Sequence, residues 1–139
     1  IEVARERGIE IEEVRRSVGG AYQTYMRFGV VTERQERSVA GTVFSDGKPR
    51  IIQVKGINMA AELAPHMLYV TNQDKPGFIG RFGQGLGEAD VNIATLNLGR
   101  DRPGGDAICL TAGDAHVSDE VLNSVKALPM VMTAHRLEF

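Results

Sequence analysis

The sequence predicts an α+β protein in two parts, a partial antiparallel sheet domain followed by a βαββαβ unit. Three observations carry this prediction. Apolar residues recur with a period of two at Tyr22, Met26, Phe28 and Val30, and again at Val39, Gly41 and Val43. Beyond residue 66, apolar runs and helical stripes follow one another in the order β-α-β-β-α-β, a split pair of βαβ units in a ferredoxin-like plan. Between them, residues 55–65 carry Gly56, Asn58 and Pro65 and read as a connector, so the two parts are expected at 1–60 and 66–139.

The chain opens inside a helical pattern, Ile1 to Arg7, that lacks an N-cap and stops at Gly8. This predicts a fragment of a longer protein. Ile9 and Ile11 alternate with Glu10 and Glu12, the pattern of a half-buried strand. Gly19 and Gly20 interrupt the chain before the strand that starts near Tyr22. The polar run 33–37 is expected at a strand end or turn. Ser45-Asp46-Gly47-Lys48 then joins two strand-like runs through an Asp-Gly pair, a strong hairpin signal. The return strand covers residues 50–54.

The second part begins with the apolar strand 67–71, and residues 72–77 interrupt it. Pro76 suits a first helical turn, where its missing N–H costs nothing. Phe78, Ile79, Phe82, Leu86 and Ala89 recur at helical spacing up to Asp90. A strand over 91–98, a turn at 100–105 and a strand over 107–112 follow. Ser118 is a natural N-cap with Asp119 and Glu120 behind it, and Val121, Leu122, Val125 and Leu128 form the stripe of a helix that Pro129 ends. Residues 131–139 complete the unit as a last strand.

The composition excludes several classes of function. Of 139 residues, 42% are hydrophobic and 24% charged, and the formal net charge is −2 with both signs interspersed, so no basic stripe for nucleic acid is visible. No apolar run approaches the ~18 residues of a membrane span. Cys109 is the one cysteine and lies in an apolar run, which points to a buried small side chain and a reducing, cytoplasmic compartment.

Catalysis has little support here. Gly77, Gly80, Gly83, Gly85 and Gly87 invite comparison with the dinucleotide pattern G-x-G-x-x-G, but Glu88 or Asp90 stands where the third glycine is needed. His66, His116 and His135 share no metal-ligand spacing, so no metal is expected, and no glycine-flanked nucleophile is present. Glycine in a helix costs about 1 kcal/mol against alanine. Close approach to the sheet, a ligand or a second subunit would offset that cost. Asn72 and Asp74 precede the helix and its free N–H groups, and Asn92 precedes the next strand. An α-amino acid needs an acceptor for its ammonium and donors for its carboxylate, and these groups offer both. On chemistry alone Asp74 is equally an N-cap or a ligand contact.

Residues 72–80 (Asn-Gln-Asp-Lys-Pro-Gly-Phe-Ile-Gly), 91–94 (Val-Asn-Ile-Ala), 98–100 (Leu-Gly-Arg) and 104–107 (Gly-Gly-Asp-Ala) resemble the ACT domain of bacterial D-3-phosphoglycerate dehydrogenases. Upstream, residues 37–44, the Asp46-Gly47 hairpin and residues 51–56 resemble the end of the intervening, allosteric substrate-binding domain of the long-form enzymes. The resemblance implies a parent that oxidises 3-phosphoglycerate with NAD in L-serine biosynthesis, its catalytic and NAD-binding residues lying before Ile1. It implies no catalytic residue and no cofactor within this stretch. It further implies L-serine, or a similar amino acid, held as a feedback inhibitor between ACT domains of neighbouring subunits by Asn72, Asp74, Asn92 and Gly77. Arg50 matches one position of an anion site found in certain relatives, while Ile57, Asn58 and Glu62 depart from its basic pattern. Two other readings compete: a purely structural oligomerisation module, and the regulatory part of an iron–sulfur L-serine dehydratase.

Overall fold

The computed structural model of the chain describes residues 2–14 and 24–139. Its order is α1 (Glu2–Glu6), β1 (Met26–Val31), β2 (Glu36–Val43), β3 (Pro49–Val54), β4 (Ile57–Glu62), β5 (His66–Gln73), α2 (Phe78–Glu88), β6 (Ile93–Arg100), β7 (Asp106–Gly113), α3 (Asp119–Lys126) and β8 (Val131–Glu138). Two four-stranded antiparallel sheets result, β1-β2-β3-β4 and β6-β7-β5-β8. The expected α+β class and the βαββαβ order of the second part are both present.

In the first sheet, β2 and β3 form the hairpin that Asp46-Gly47 announces, with Gly47 at φ 78° and Val43 paired with Pro49. Arg50 holds Asp46 through two hydrogen bonds of 3.0 and 2.7 Å, and its guanidinium lies 4.3 Å from the Phe44 ring centre. This pair holds the Asp46 carboxyl down to about 2, from an ordinary 3.8.

Two expectations fail in this part. Residues 9–14 form no strand: they are exposed and belong to no ladder among the described residues. Alternation alone makes no strand when no neighbour takes up its hydrogen bonds. The presumed connector, conversely, contains β4. Lys55 and Gly56 both take positive φ (50° and 79°), as a two-residue type I′ turn requires, and Val54 pairs with Ile57. The period of two at Ile57, Met59 and Ala61 was legible, but alanine and asparagine are poor strand formers and Gly56 and Pro65 mimic loop punctuation. Gly19, Gly20 and Tyr22 lie outside the described residues.

The second sheet is buried on both faces. On one, Leu68, Val70, Cys109 and Ala134 meet Phe78, Phe82 and Leu86 of α2 and Val125 of α3. Phe78 and Phe82 stack with ring centres 5.6 Å apart. On the other face, Met67, Leu110 and Ala112 pack against Ala61 of β4, with Ile51, Val54 and Met59 beside them. Ser118 caps α3 as expected, its hydroxyl accepting the Val121 N–H at 3.3 Å.

β4 crosses β6 so closely at Gly99 that a Cβ there would stand 2.7 Å from the Asn58 carbonyl oxygen and 2.8 Å from Ile57 Cγ2. By contrast a Cβ on Gly80, Gly83, Gly85 or Gly87 of α2 would meet nothing within 4 Å among the described residues. Packing onto the sheet is therefore not what these helical glycines serve. Gly99→Ala should destabilise the chain by about 1–3 kcal/mol through overpacking. Gly85→Ala should instead stabilise it by up to about 1 kcal/mol. Urea unfolding of the two variants checks the opposite signs.

Candidate functional site

β5 ends at Gln73, and the chain leaves it through Asp74, Lys75 and Pro76 to enter α2 at Gly77. Gly77 is the N-cap in a left-handed conformation (φ 91°), and no side chain caps the helix. The Phe78 N–H turns back to the Lys75 carbonyl at 3.4 Å, and the N–H groups of Ile79 and Gly80 stay open to an anion. Asp74 is not the cap. Its Oδ2 accepts Arg100 Nη1 at 2.8 Å and the Gly104 N–H at 3.1 Å. Arg100, with the Gly104 N–H adding to it, lowers the Asp74 carboxyl below its ordinary 3.8.

Asn72 contributes the least ordinary feature. It is buried, 1% exposed, and its Nδ2 donates to the Gln73 carbonyl at 2.9 Å. That bond fixes the amide orientation, and the opposite end, Oδ1, is buried without a partner. Leaving a buried acceptor unpaired costs about 1–3 kcal/mol. A register shift in the β5–β8 ladder falls between Thr71 and Asn72, a device that re-aims side chains beside functional sites.

These groups line an open pocket of about 490 Å³, together with Ile79, Gly80 and Leu98. The pocket thus brings Asn72, Asp74 and Gly77 together. Asn92 is not among its walls. It precedes β6 while Arg100 ends it, so the eight residues of β6, on the order of 25 Å, separate it from the pocket. Asn92 is exposed, and its Nδ2 donates to Asp114 Oδ2 at 2.5 Å.

Arg50 stands in the other sheet, committed to Asp46 and 3.7 Å from Glu62, so an anion there would compete with two carboxylates. It borders an apolar hollow of about 420 Å³ walled by Tyr25, Met26, Phe28 and Ile51. Gly83, Gly85 and Gly87 lie inside α2 rather than in a strand-to-helix turn, so they offer no pyrophosphate cradle. Arg100 and Gly104 are pocket residues that spacing alone did not single out; only the motifs Leu98-Gly99-Arg100 and Gly104-Gly105 marked the segment. The fold adds a relation between two of the histidines that sequence spacing does not carry. His66 and His116, distant in sequence, approach each other beside Glu138.

Residues 2–55 match the D-3-phosphoglycerate dehydrogenase intervening domain, and residues 66–129 match the ACT domain. The chain joins a dehydrogenase intervening segment to an ACT domain. It is 32% identical over 136 residues to the D-3-phosphoglycerate dehydrogenase of Bacillus subtilis and 33% identical over 138 residues to that of Archaeoglobus fulgidus. The enzyme of Synechocystis is 29% identical over 135 residues. These alignments cover 97–98% of this chain but only 24–26% of each relative, so the chain spans about a quarter of their length. It corresponds to their C-terminal regulatory part. No described helix is long and apolar enough to cross a membrane.

The Asp74 carboxyl, lowered in the folded chain, should anchor Arg100 and Gly104 above pH 3.8 and release them as pH falls through its folded value. The Gly104 amide shift, followed by NMR against pH, should report a midpoint below 3.8. In Arg100→Gln that midpoint should move upward.

Proposed function

We propose that this chain is the regulatory end of an NAD-dependent D-3-phosphoglycerate dehydrogenase of L-serine biosynthesis and binds L-serine, or a closely similar α-amino acid, at an interface between ACT domains. The observation that carries this reading is the buried, unpartnered Asn72 Oδ1 on the wall of a pocket that opens at an uncapped helix N-terminus. An ammonium group would satisfy that oxygen, and Asp74 beside it adds negative charge. The carboxylate of the same ligand would take the N–H groups of Ile79 and Gly80, with Arg100 nearby. A small side chain suits the space left by Ile79 and Leu98.

The place of Asn92 argues for a second copy. β6 is an edge strand of its sheet, and edge strands offer unpaired hydrogen-bonding groups. Two-fold pairing through β6 runs the two strands antiparallel, so the start of one meets the end of the other. Asn92 of the second copy then stands against Asn72 and Asp74 of the first, and each dimer holds two equivalent sites. Ile79 and Gly80 of α2 line the pocket with Leu98 and Arg100 of β6, so the start of the helix stands beside that edge for the approach. In the whole enzyme, NAD and substrate would be handled by residues outside this chain, in the cytoplasm.

Calorimetric titration should yield one L-serine per chain. Asn72→Ala and Asn92→Ala should each abolish saturable binding in the range where the unaltered chain saturates. Mixing and reannealing the two variants in equal amounts should restore about a quarter of the sites, because a mixed dimer keeps one intact pair. No restoration would mean that the two asparagines serve a site within one copy, against the shared-site arrangement. No serine heat at all would leave a purely structural dimerisation module.

A further inference from the structure

The end of the second sheet remote from the pocket carries a side-chain cluster that the serine site does not use. His66 opens β5, Glu138 closes β8 opposite it in the ladder, and His116 belongs to the loop between β7 and α3. Their ligand atoms all lie within 4.8 Å of one another. His116 Nδ1 already bonds Glu138 Oε1, and the two imidazoles meet edge to face with centres 6.4 Å apart. His66 Nδ1 is buried and has no hydrogen-bond partner.

We propose that His66, His116 and Glu138 form a binding site for a divalent transition-metal ion of the zinc type. Two imidazole nitrogens and one carboxylate oxygen are the donor set that suits zinc, at about 2.0–2.2 Å each, with a fourth position left for water. Magnesium and calcium prefer sets made wholly of oxygen and are poorly served by it. Contraction from the present separations requires side-chain rotation only, because His116 and Glu138 are about half exposed (54% and 47%). The Arg136 cation does not block the ion. Its Nη1 is anchored on the Val117 carbonyl at 2.6 Å and on Asp119 at 3.0 Å, and its Nε stands 3.7 Å from Glu138. One imidazole nitrogen of His66 on β5, one of His116 in the α3 entry loop and the Glu138 carboxylate on β8 would thus be tied into one clamp.

The test is titration of the 139-residue chain with ZnCl2, read by calorimetry, together with Co2+ absorption, whose intense visible bands report a tetrahedral site. The expected result is one ion per chain, a rise in Tm that EDTA reverses, and no response to Mg2+. His66→Ala and His116→Ala should each weaken Zn2+ binding by roughly tenfold or more, since ligand loss exceeds the effect of losing an outer-shell partner. His135→Ala, a histidine outside the cluster, should bind zinc unchanged. Circular dichroism of each metal-free variant separates lost folding from lost ligation, and Glu138→Gln gives a third variant that keeps the volume. Zinc binding that survives both cluster variants in folded form, or is lost equally in His135→Ala, would overturn the site. Absence of zinc binding to the unaltered chain at micromolar concentration would overturn it too.

Discussion

The arrangement depends on the burial of β5 and β7 from both sides. Met67, Leu110 and Ala112 face β4, while Leu68, Val70 and Cys109 face the helices. A one-residue slip in either strand would exchange the two faces, so register is fixed to the residue. Gly99 sets how near β4 can come to β6, because its missing side chain is what lets the Asn58 carbonyl pass. From that fixed register follow the two ends of the sheet. Asn72 arrives where α2 begins, and His66 arrives where β8 ends.

Much of this was legible in the sequence, and the failures share a cause. Apolar runs reported β5 and β7, which are buried on both faces, and helical stripes reported α2 and α3, which each bury one face on the sheet. Ser118, Asp46 and Gly47 reported their own turns through local chemistry. Ile9 and Ile11 misled, since alternation describes a side-chain pattern and not a partner for the backbone. Ile57, Met59 and Ala61 show the reverse: β4 owes its strand form to a hairpin partner and to the sheet above it. At the site, Asn72, Asp74 and Gly77 were placed by motif, but the distance of Asn92 from them is a property of strand direction. Likewise His66, His116 and Glu138 meet only because β5 and β8 are neighbours in space and far apart in sequence.

The two ends of the sheet offer opposite chemistry. At the α2 end the groups are hydrogen-bonding amides, a carboxylate already engaged by Arg100, and the N–H donors of Ile79 and Gly80. At the other end they are two imidazoles and a carboxylate. The loop after β7 touches both groups of residues, because Asp114 receives Asn92 while His116, two residues on, stands with His66 and Glu138. Restraint of that loop by a metal would bear directly on how Asn92 is presented to a second copy.

The glycines of α2 remain the sharpest argument for that second copy. Gly80, Gly83, Gly85 and Gly87 meet no atom within 4 Å that a Cβ would displace, and each costs the helix up to about 1 kcal/mol against alanine. No contact among the described residues offsets that cost. Phe78, Phe82 and Leu86 already supply the helix's grip on the sheet. Ile79, 51% exposed, shares its side of the helix with Gly80, Gly83 and Gly87 and lines the pocket with Leu98. A smooth face beside a free strand edge lets another backbone come close, and such closeness is what a site built from Asn72 of one copy and Asn92 of another would require.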